Sequence, residues 1–307
     1  MAESLFRCAP QARLFVLAFD PAVGAEFAGL FDERVEVVSI DHLEAVDDQL
    51  REVRSDRTFR EYLSTVRAPF MLELFRSHPE LQDLTFVDAD MYFFSSPEPL
   101  LDELKSAHVL LTPHEFPVHC EHWRRCGDYN AGWFTVRNSE PGIAALEWWR
   151  RKCLEWCKLV VDGERFANQG YLNQMSEMEQ VQVVRHPGVN VGPWSATTRA
   201  LSLQSSTYLV GGLPLISYHF STLKRMGLGL YLCNLRRYGG FPRGVLAKIY
   251  LEYVKRFESL HRHRTDLGLA GPEWPASFQG RLYWLYLTLI KLLRSDFIWL
   301  PPWKKLT

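Results

Sequence analysis

Long apolar runs, a secreted-type cysteine framework, internal repeats and low-complexity tracts are all missing from this 307-residue chain. No apolar stretch reaches the roughly 18 residues expected of a membrane span, and no charged-then-apolar segment opens the sequence, so neither a spanning helix nor a signal peptide is expected. Cysteines number only six, with no regular pairing pattern, which points to a reducing, cytoplasmic setting. Cys153 and Cys157 fall one helical turn apart in an aromatic-rich stretch and read as buried thiols. A denser group, His114, His119, Cys120, His122 and Cys126, matches no standard zinc spacing and reads as a polar surface loop. Net charge is also scarce, at −1, and no nucleic-acid partner is expected. That total hides an asymmetry. Residues 1–219 carry 20 Lys/Arg against 31 Asp/Glu, a net of −11, whereas residues 220–307 carry 15 against 5, a net of +10. The two parts are therefore expected to face different partners.

What is present suits an α/β core. A hydrophobic content of 47% at this length fills one such core with room for an appendage. Arg13 to Phe19 and Arg34 to Ile40 read as strands, with Asp20-Pro21 as a helix start between them. Apolar residues at helical spacing predict one helix from Thr58 to Ser77. A short helix after Pro97-Glu98-Pro99, an apolar strand at His108 to Thr112 and a strand at Tyr129 to Val136 follow. An aromatic helix from Glu140 to Leu159 places Trp148, Trp149 and Trp156 in the core. Later strands are expected at Val181 to Val184 and Leu215 to Phe220. Alternating strand and helix signals argue for a mainly parallel sheet covered on both faces.

The most pointed feature is Phe86-Val87-Asp88-Ala89-Asp90-Met91-Tyr92, two acids one residue apart between apolar runs. The runs read as a strand buried on both faces, on which Asp88 and Asp90 share one side, the alternative being a strand-to-turn junction with two solvated acids. Adjacent carboxylates repel unless a cation or donor stabilises them. A hard ion such as Mg²⁺ or Mn²⁺ takes one or two carboxylates together with phosphate oxygens, which suits a nucleotide diphosphate.

Taken in order, Asp88-Ala89-Asp90, Tyr129-Asn130-Ala131-Gly132, Asn168-Gln169, Gly192-Pro193-Trp194 and Tyr218-His219-Phe220 with Lys224 resemble the GT-A glycosyltransferases, especially glycosyltransferase family 8 and related bacterial enzymes. The resemblance covers roughly residues 1–225. It implies an α/β fold with a mixed sheet flanked by helices, a sugar-nucleotide donor, a UDP-sugar by preference, and transfer of a hexose with retention. Asp88, Asp90 and His219 would then hold Mn²⁺ or Mg²⁺. Asp88 and Ala89 would meet the nucleotide, Asn130, Ala131 and Gly132 would lie against the donor sugar, and Lys224 would meet the donor phosphates. Gln169 and Asn168 would stand near the anomeric centre as catalytic residues.

Two departures from that family stand out. Asn168 occupies a place where relatives commonly carry aspartate, which favours an alternative reading as a weakly active or inactive sugar-nucleotide-binding protein of the same fold. The family's first strand and nucleotide-binding turn also lack a counterpart, so the start of the sequence reads as internal to a longer protein. A haloacid-dehalogenase-like phosphatase is disfavoured because Tyr92 stands where that family places Thr or Val. Residues 226–307 read as a basic, aromatic helical extension. Its segment 281–305 is expected to meet an anionic membrane surface on the cytoplasmic face, near a glycan or lipid-linked acceptor.

Overall fold

The computed structural model describes residues 1–29, 31–227, 229–266 and 297–300. Helix α1 (Ala2–Cys8) leads to strand β1 (Leu14–Ala18), helix α2 (Pro21–Gly29) and strand β2 (Val35–Ser39). β1 and β2 pair in parallel, from Leu14 beside Val35 to Ala18 beside Ser39. The Asp20-Pro21 signal does start a helix: the Asp20 carboxylate accepts from the N–H groups of Ala22 and Val23 at 2.8 and 3.2 Å. Pro21 supplies the first helical φ without needing a donor.

Helices α3 (Ile40–Val46), α4 (Asp48–Val53), α5 (Phe59–Thr65) and α6 (Arg67–Ser77) follow. The single helix predicted from Thr58 to Ser77 is thus two. Thr58 and Glu61 close a capping box at the start of α5. The break falls at Val66 because Pro69 offers no N–H to the Thr65 carbonyl and its ring crowds that oxygen. The new start directs Arg67, the first residue of α6, toward Ala131 and Asp88.

The middle of the chain comprises β3 (Asp83–Val87), β4 (Met91–Phe93), α7 (Pro99–Leu104), β5 (Val109–Pro113), a 3₁₀ segment (Val118–Cys126), β6 (Tyr129–Arg137), α8 (Glu140–Glu155), α9 (Tyr171–Met175) and β7 (Val181–Val183). Four of these strands form the main sheet, ordered β3-β6-β5-β7. β3 and β5 run antiparallel to β6, while β5 and β7 are parallel. The sheet is therefore mixed, as the resemblance implies, and not mainly parallel as the strand-helix alternation suggests. β3 is also only half-buried along most of its length, contrary to the two-sided burial read from its apolar run. It ends the order of the main sheet and has one partner strand there.

Side-chain alternation divides the core across this sheet. Val109, Leu111, Phe134 and Val136 face α6, α8 and α9, packing with Met71, Leu146, Trp149 and Met175. Leu110 and Trp133 face the other way, toward Phe6, Phe93 and Ile216. Trp149 is fully buried and stacks on Phe134 at 4.7 Å, with Trp148 and Trp156 packed against the same cluster. Cys153 and Cys157 are free and buried beside them. α8 stops at Glu155 because Trp156 adopts an extended conformation (φ −156°, ψ 129°).

Strands β8 (Leu201–Gln204), β9 (Thr207–Val210) and β10 (Leu213–Pro214) form an antiparallel sheet ahead of β11 (Ser217–His219). β11 pairs antiparallel with β4, setting His219 beside Met91. Where helices were expected after Leu223, the chain first makes β12 (Lys224–Gly227) and β13 (Leu230–Leu232). It then forms a 3₁₀ segment (Leu235–Tyr238) and helix α10 (Gly244–Asp266), and β14 (Phe297–Trp299) joins β13. Strands of three or four residues are too short to leave a readable period. α10 packs Ile249, Tyr250 and Tyr253 on Tyr218 and Phe220, with the Phe220 and Tyr253 rings parallel at 3.9 Å. Residues on both sides of Arg225 thus share one apolar cluster. Among the described residues no helix is long and apolar enough to cross a membrane. The predicted interfacial segment 281–305 lies outside the described residues except for 297–300.

Candidate active site

Asp88 follows β3 and Asp90 precedes β4, so the acids occupy a turn between two sheets rather than one extended strand. The Met91 N–H bonds the Asp88 carbonyl at 3.2 Å and closes that turn. Strand alternation therefore does not explain how the carboxylates converge. Each is instead held through its own backbone: the Asp88 N–H donates to the Gly132 carbonyl at 2.9 Å, and the Asp90 carbonyl accepts from the Phe220 N–H at 2.9 Å. The second bond lies one residue beyond His219 and carries that imidazole to the acids.

His219 is buried, with Nε2 3.0 Å from Asp90 Oδ1 and 3.8 Å from Asp88 Oδ2. Ligand atoms of Asp88, Asp90 and His219 all lie within 4.8 Å of one another, the one group among the described residues with metal-binding composition and spacing. The His114, His119, Cys120, His122 and Cys126 cluster forms no such group. Neither is that stretch simply a polar surface loop: it holds a 3₁₀ segment with Cys120 buried, and His114 is 4% exposed.

Buried amides set the His219 ring. Asn190, fully buried, donates from Nδ2 to Thr112 Oγ1 at 2.7 Å and to Asn130 Oδ1 at 3.1 Å, which leaves its Oδ1 to accept from His219 Nδ1 at 3.1 Å. Nδ1 thus carries a hydrogen, and Nε2 faces two carboxylates. An Nε2 lone pair against two negative groups is repelled unless a proton or a cation lies between them. Asn130 extends the network, donating to His114 Nε2 at 2.9 Å, while His114 Nδ1 donates to the Gly127 carbonyl at 3.0 Å. Burial pushes the His114 imidazole down to about 3, against a weaker upward pull from its Gly127 hydrogen bond, so it is neutral. Burial raises the Asp90 carboxyl, but the hydrogen bond and charge of His219, helped by a backbone hydrogen bond and the charge of Arg67, make the net shift downward.

Gly132 is the residue that leaves room. A Cβ there would lie 2.5 Å from His219 Cε1 and 2.7 Å from both Asn130 Oδ1 and Asp88 Oδ2. Gly192 does the same for Trp194, whose ring a Cβ would meet at 2.4 Å. The Trp194 ring lies edge-on to both His114 and His219 at 5.1 Å, and its indole N–H is buried without a hydrogen-bond partner.

The remaining expected residues divide into engaged and open. Ala131 is buried, its N–H bonded to Gln169 Oε1 at 3.3 Å and its carbonyl to Arg67 Nη1 at 2.5 Å. Gln169 also donates from Nε2 to the Cys126 carbonyl at 2.9 Å, so it tethers its loop to β6, with one amide hydrogen and one lone pair still unused. Asn168 is buried with its Nδ2 unpartnered. Ala89 is exposed between the acids, and Lys224 is an exposed cation opening β12. Sequence reasoning missed Arg67, whose Nη2 pairs with Asp88 Oδ1 at 2.9 Å while its guanidinium lies 4.6 Å over the Phe86 ring. It also missed Asn190, a lone polar residue between Val189 and Val191.

The donor set suits a hard divalent cation: two carboxylates and one imidazole of fixed orientation, with a glycine keeping the approach clear. The sequence matches the nucleotide-diphospho-sugar transferase family over residues 33–203. That span includes Asp88, Asp90, Asn130, Asn168, Gln169 and Asn190 and stops before His219 and Lys224. The chain is 29% identical to the uncharacterized Bacillus subtilis protein YfnF over 228 residues, 71% of this chain and 75% of that protein. It is 28% identical to the uncharacterized protein YfnD of the same organism over 287 residues, 91% of this chain and 89% of that protein. Among solved structures, the apo form of mouse xyloside xylosyltransferase 1 aligns with a TM-score of 0.46 and 13% identity, covering 72% of this chain and 90% of that one.

Proposed function

Because the chain belongs to the nucleotide-diphospho-sugar transferase family and is a glycosyltransferase drawing on a sugar-nucleotide donor, we propose that Asp88, Asp90 and His219 bind Mn²⁺ or Mg²⁺ beside the diphosphate of a UDP-sugar and that a hexose is transferred with retention to a glycan acceptor. The observation that carries this reading is the convergence of the two acids with an imidazole whose Nδ1 is already committed to Asn190. The bound ion would neutralise charge on the departing diphosphate. Lys224 adds a second cation on the phosphate side. Arg67 holds Asp88 in place and fixes the Ala131 carbonyl. Asn130, Ala131 and Gly132 form the wall against the donor sugar, and Gln169 keeps one N–H and one lone pair for the anomeric centre. Residues 1–225 would carry this site, residues 226–307 would support it, and segment 281–305 would touch an anionic membrane surface from the cytoplasm.

Isothermal titration with UDP, with and without Mn²⁺, followed by a donor-hydrolysis assay, tests the assignment. Tight binding only with Mn²⁺, lost in Asp90→Asn, is expected; equal binding without the ion would sink it. A second reading, donor binding without turnover, is favoured by the neutral Asn168 amide, its Nδ2 unpartnered, at a position where an acid is expected. Mn²⁺-dependent binding with no hydrolysis or transfer would select it. For the membrane contact, flotation with anionic liposomes that persists after deletion of residues 270–307 would rule the segment out.

A further inference from the structure

Outward from His114 the structure holds a second, differently built surface. The Phe116 ring stacks on His114 at 4.6 Å and 15°, and Tyr238 continues the stack at 6.5 Å and 14°. The Arg237 guanidinium lies 3.9 Å over the Trp123 ring and 6.0 Å from that of Tyr238. Arg243 lies 5.1 Å over the exposed ring of Phe241. The two 3₁₀ segments that carry this surface are joined by a bond from Cys120 Sγ to the Arg237 carbonyl at 3.5 Å. Nearby Glu121 and Asp128 are both taken up by Arg124. Among the described residues no carboxylate pairs with Arg125, Arg237 or Arg243.

Arg237 and Arg243 are exposed, have no acidic partner among the described residues and lie on aromatic rings. A guanidinium held over a ring is pre-oriented and accepts a carboxylate or phosphate in bidentate fashion. The flat rings beside it offer the amphipathic surface on which the C–H face of a sugar packs. The stack also begins at His114, which touches Trp194 and, through Asn130 and Asn190, His219. We propose that Phe116, Trp123, Tyr238, Arg237 and Arg243 form the acceptor platform, and that the acceptor is an anionic glycan bearing a carboxylate or phosphate close to the sugar that receives the hexose. The proposal rests on the reading of Asp88, Asp90 and His219 as the donor site. A neutral acceptor would leave the arginines without a counter-charge, and electrostatic complementarity of this kind sets specificity.

The test uses the full chain and its R237E/R243E variant, with thermal melts confirming that both fold. Four titrations are compared: a glucuronate-containing tetrasaccharide, its carboxyl-reduced neutral counterpart, phosphatidylglycerol vesicles, and UDP with Mn²⁺. The acidic tetrasaccharide is expected to bind at least about tenfold more tightly than the reduced one. R237E/R243E should erase that difference while UDP binding in the presence of Mn²⁺ stays within about twofold. Equal affinity for the acidic and reduced sugars, or a preference that survives in the variant, overturns the platform. Binding confined to the vesicles overturns it as well, reassigning the arginines to a lipid headgroup. If UDP fails to bind wild type with Mn²⁺, the donor-site reading itself has failed, and the acceptor assignment falls with it.

Discussion

From His114 one path runs inward through Asn130 and Asn190 to His219, and another runs outward through Phe116 and Tyr238 to Arg237. The inward path is buried, uncharged until it reaches the carboxylates, and fixed by hydrogen bonds whose donors and acceptors are nearly all assigned. The outward path is half-buried at its rings, exposed and positive at Arg237, and held mainly by stacking, with one bond from Cys120 Sγ to the Arg237 carbonyl. The difference separates two tasks. A ligand set must be held to a fraction of an ångström, which rigid, satisfied amides achieve. A face for a bulky partner needs charge and area and tolerates side-chain freedom.

The sharpest way to break the contrast is on the inward path. Gly132→Ala should cost Mn²⁺-dependent UDP binding about a hundredfold, because the added methyl displaces His219 and Asp88 and disturbed ligand orientation costs metal affinity on that scale. The folded state should lose only about 1–3 kcal/mol, as overpacking does. A variant that binds UDP and Mn²⁺ like wild type would show that the carboxylates and imidazole do not share an ion. Next comes Asn190→Ala, which frees His219 Nδ1 and should weaken Mn²⁺ binding by about 10–100-fold. Unchanged affinity in that variant would mean the ring is oriented by something else.

A pH series sharpens the inward path further. His114 has its folded-state value pushed from 6.5 to about 3 by burial, so the unfolded chain takes up its proton first. Its contribution to stability is complete above about 6.5 and declines as pH falls toward about 3, by roughly 1.4 kcal/mol per pH unit from this group alone. Denaturant melts between those limits should show a shallower loss in His114→Gln than in wild type; parallel slopes would refute a buried neutral imidazole. The smallest effect belongs to the outward path, where Arg237→Ala should change stability by no more than about 0.5 kcal/mol. A loss beyond about 2 kcal/mol in the same melts would make that arginine a structural element instead of a contact surface.

Much of this was legible in the sequence, for identifiable reasons. The Asp20-Pro21 start and the aromatic periodicity of α8 each produced a helix, because local propensity and burial agree there, although α8 stops at Glu155. The apolar runs flanking Asp88 and Asp90 instead became two strands of separate sheets joined by a turn. Strand direction was not legible: an apolar run such as Leu84 to Val87 reads the same in either orientation, and β6 reverses the direction of its neighbours. Pro69 signalled the break in the Thr58 to Ser77 pattern, but apolar spacing on both sides masked it. Arg67 belongs to no motif, and only its position at the first turn of α6 aims it at Asp88. Gln169 was visible, whereas its double tether depends on Cys126 and Ala131, residues about 40 positions away in the chain.

The turn between β3 and β4 has one more consequence. Asp88 is anchored to the main sheet through Gly132, while Asp90 and His219 ride on the β4–β11 pair. A cation held by all three would staple one sheet to the other, so its binding energy would enter the folding equilibrium. Stability should then climb with free Mn²⁺ as mass action dictates, by about 2.7 kcal/mol at a hundred times the dissociation constant. A simple melting curve would therefore read the ion's affinity before donor or acceptor is known.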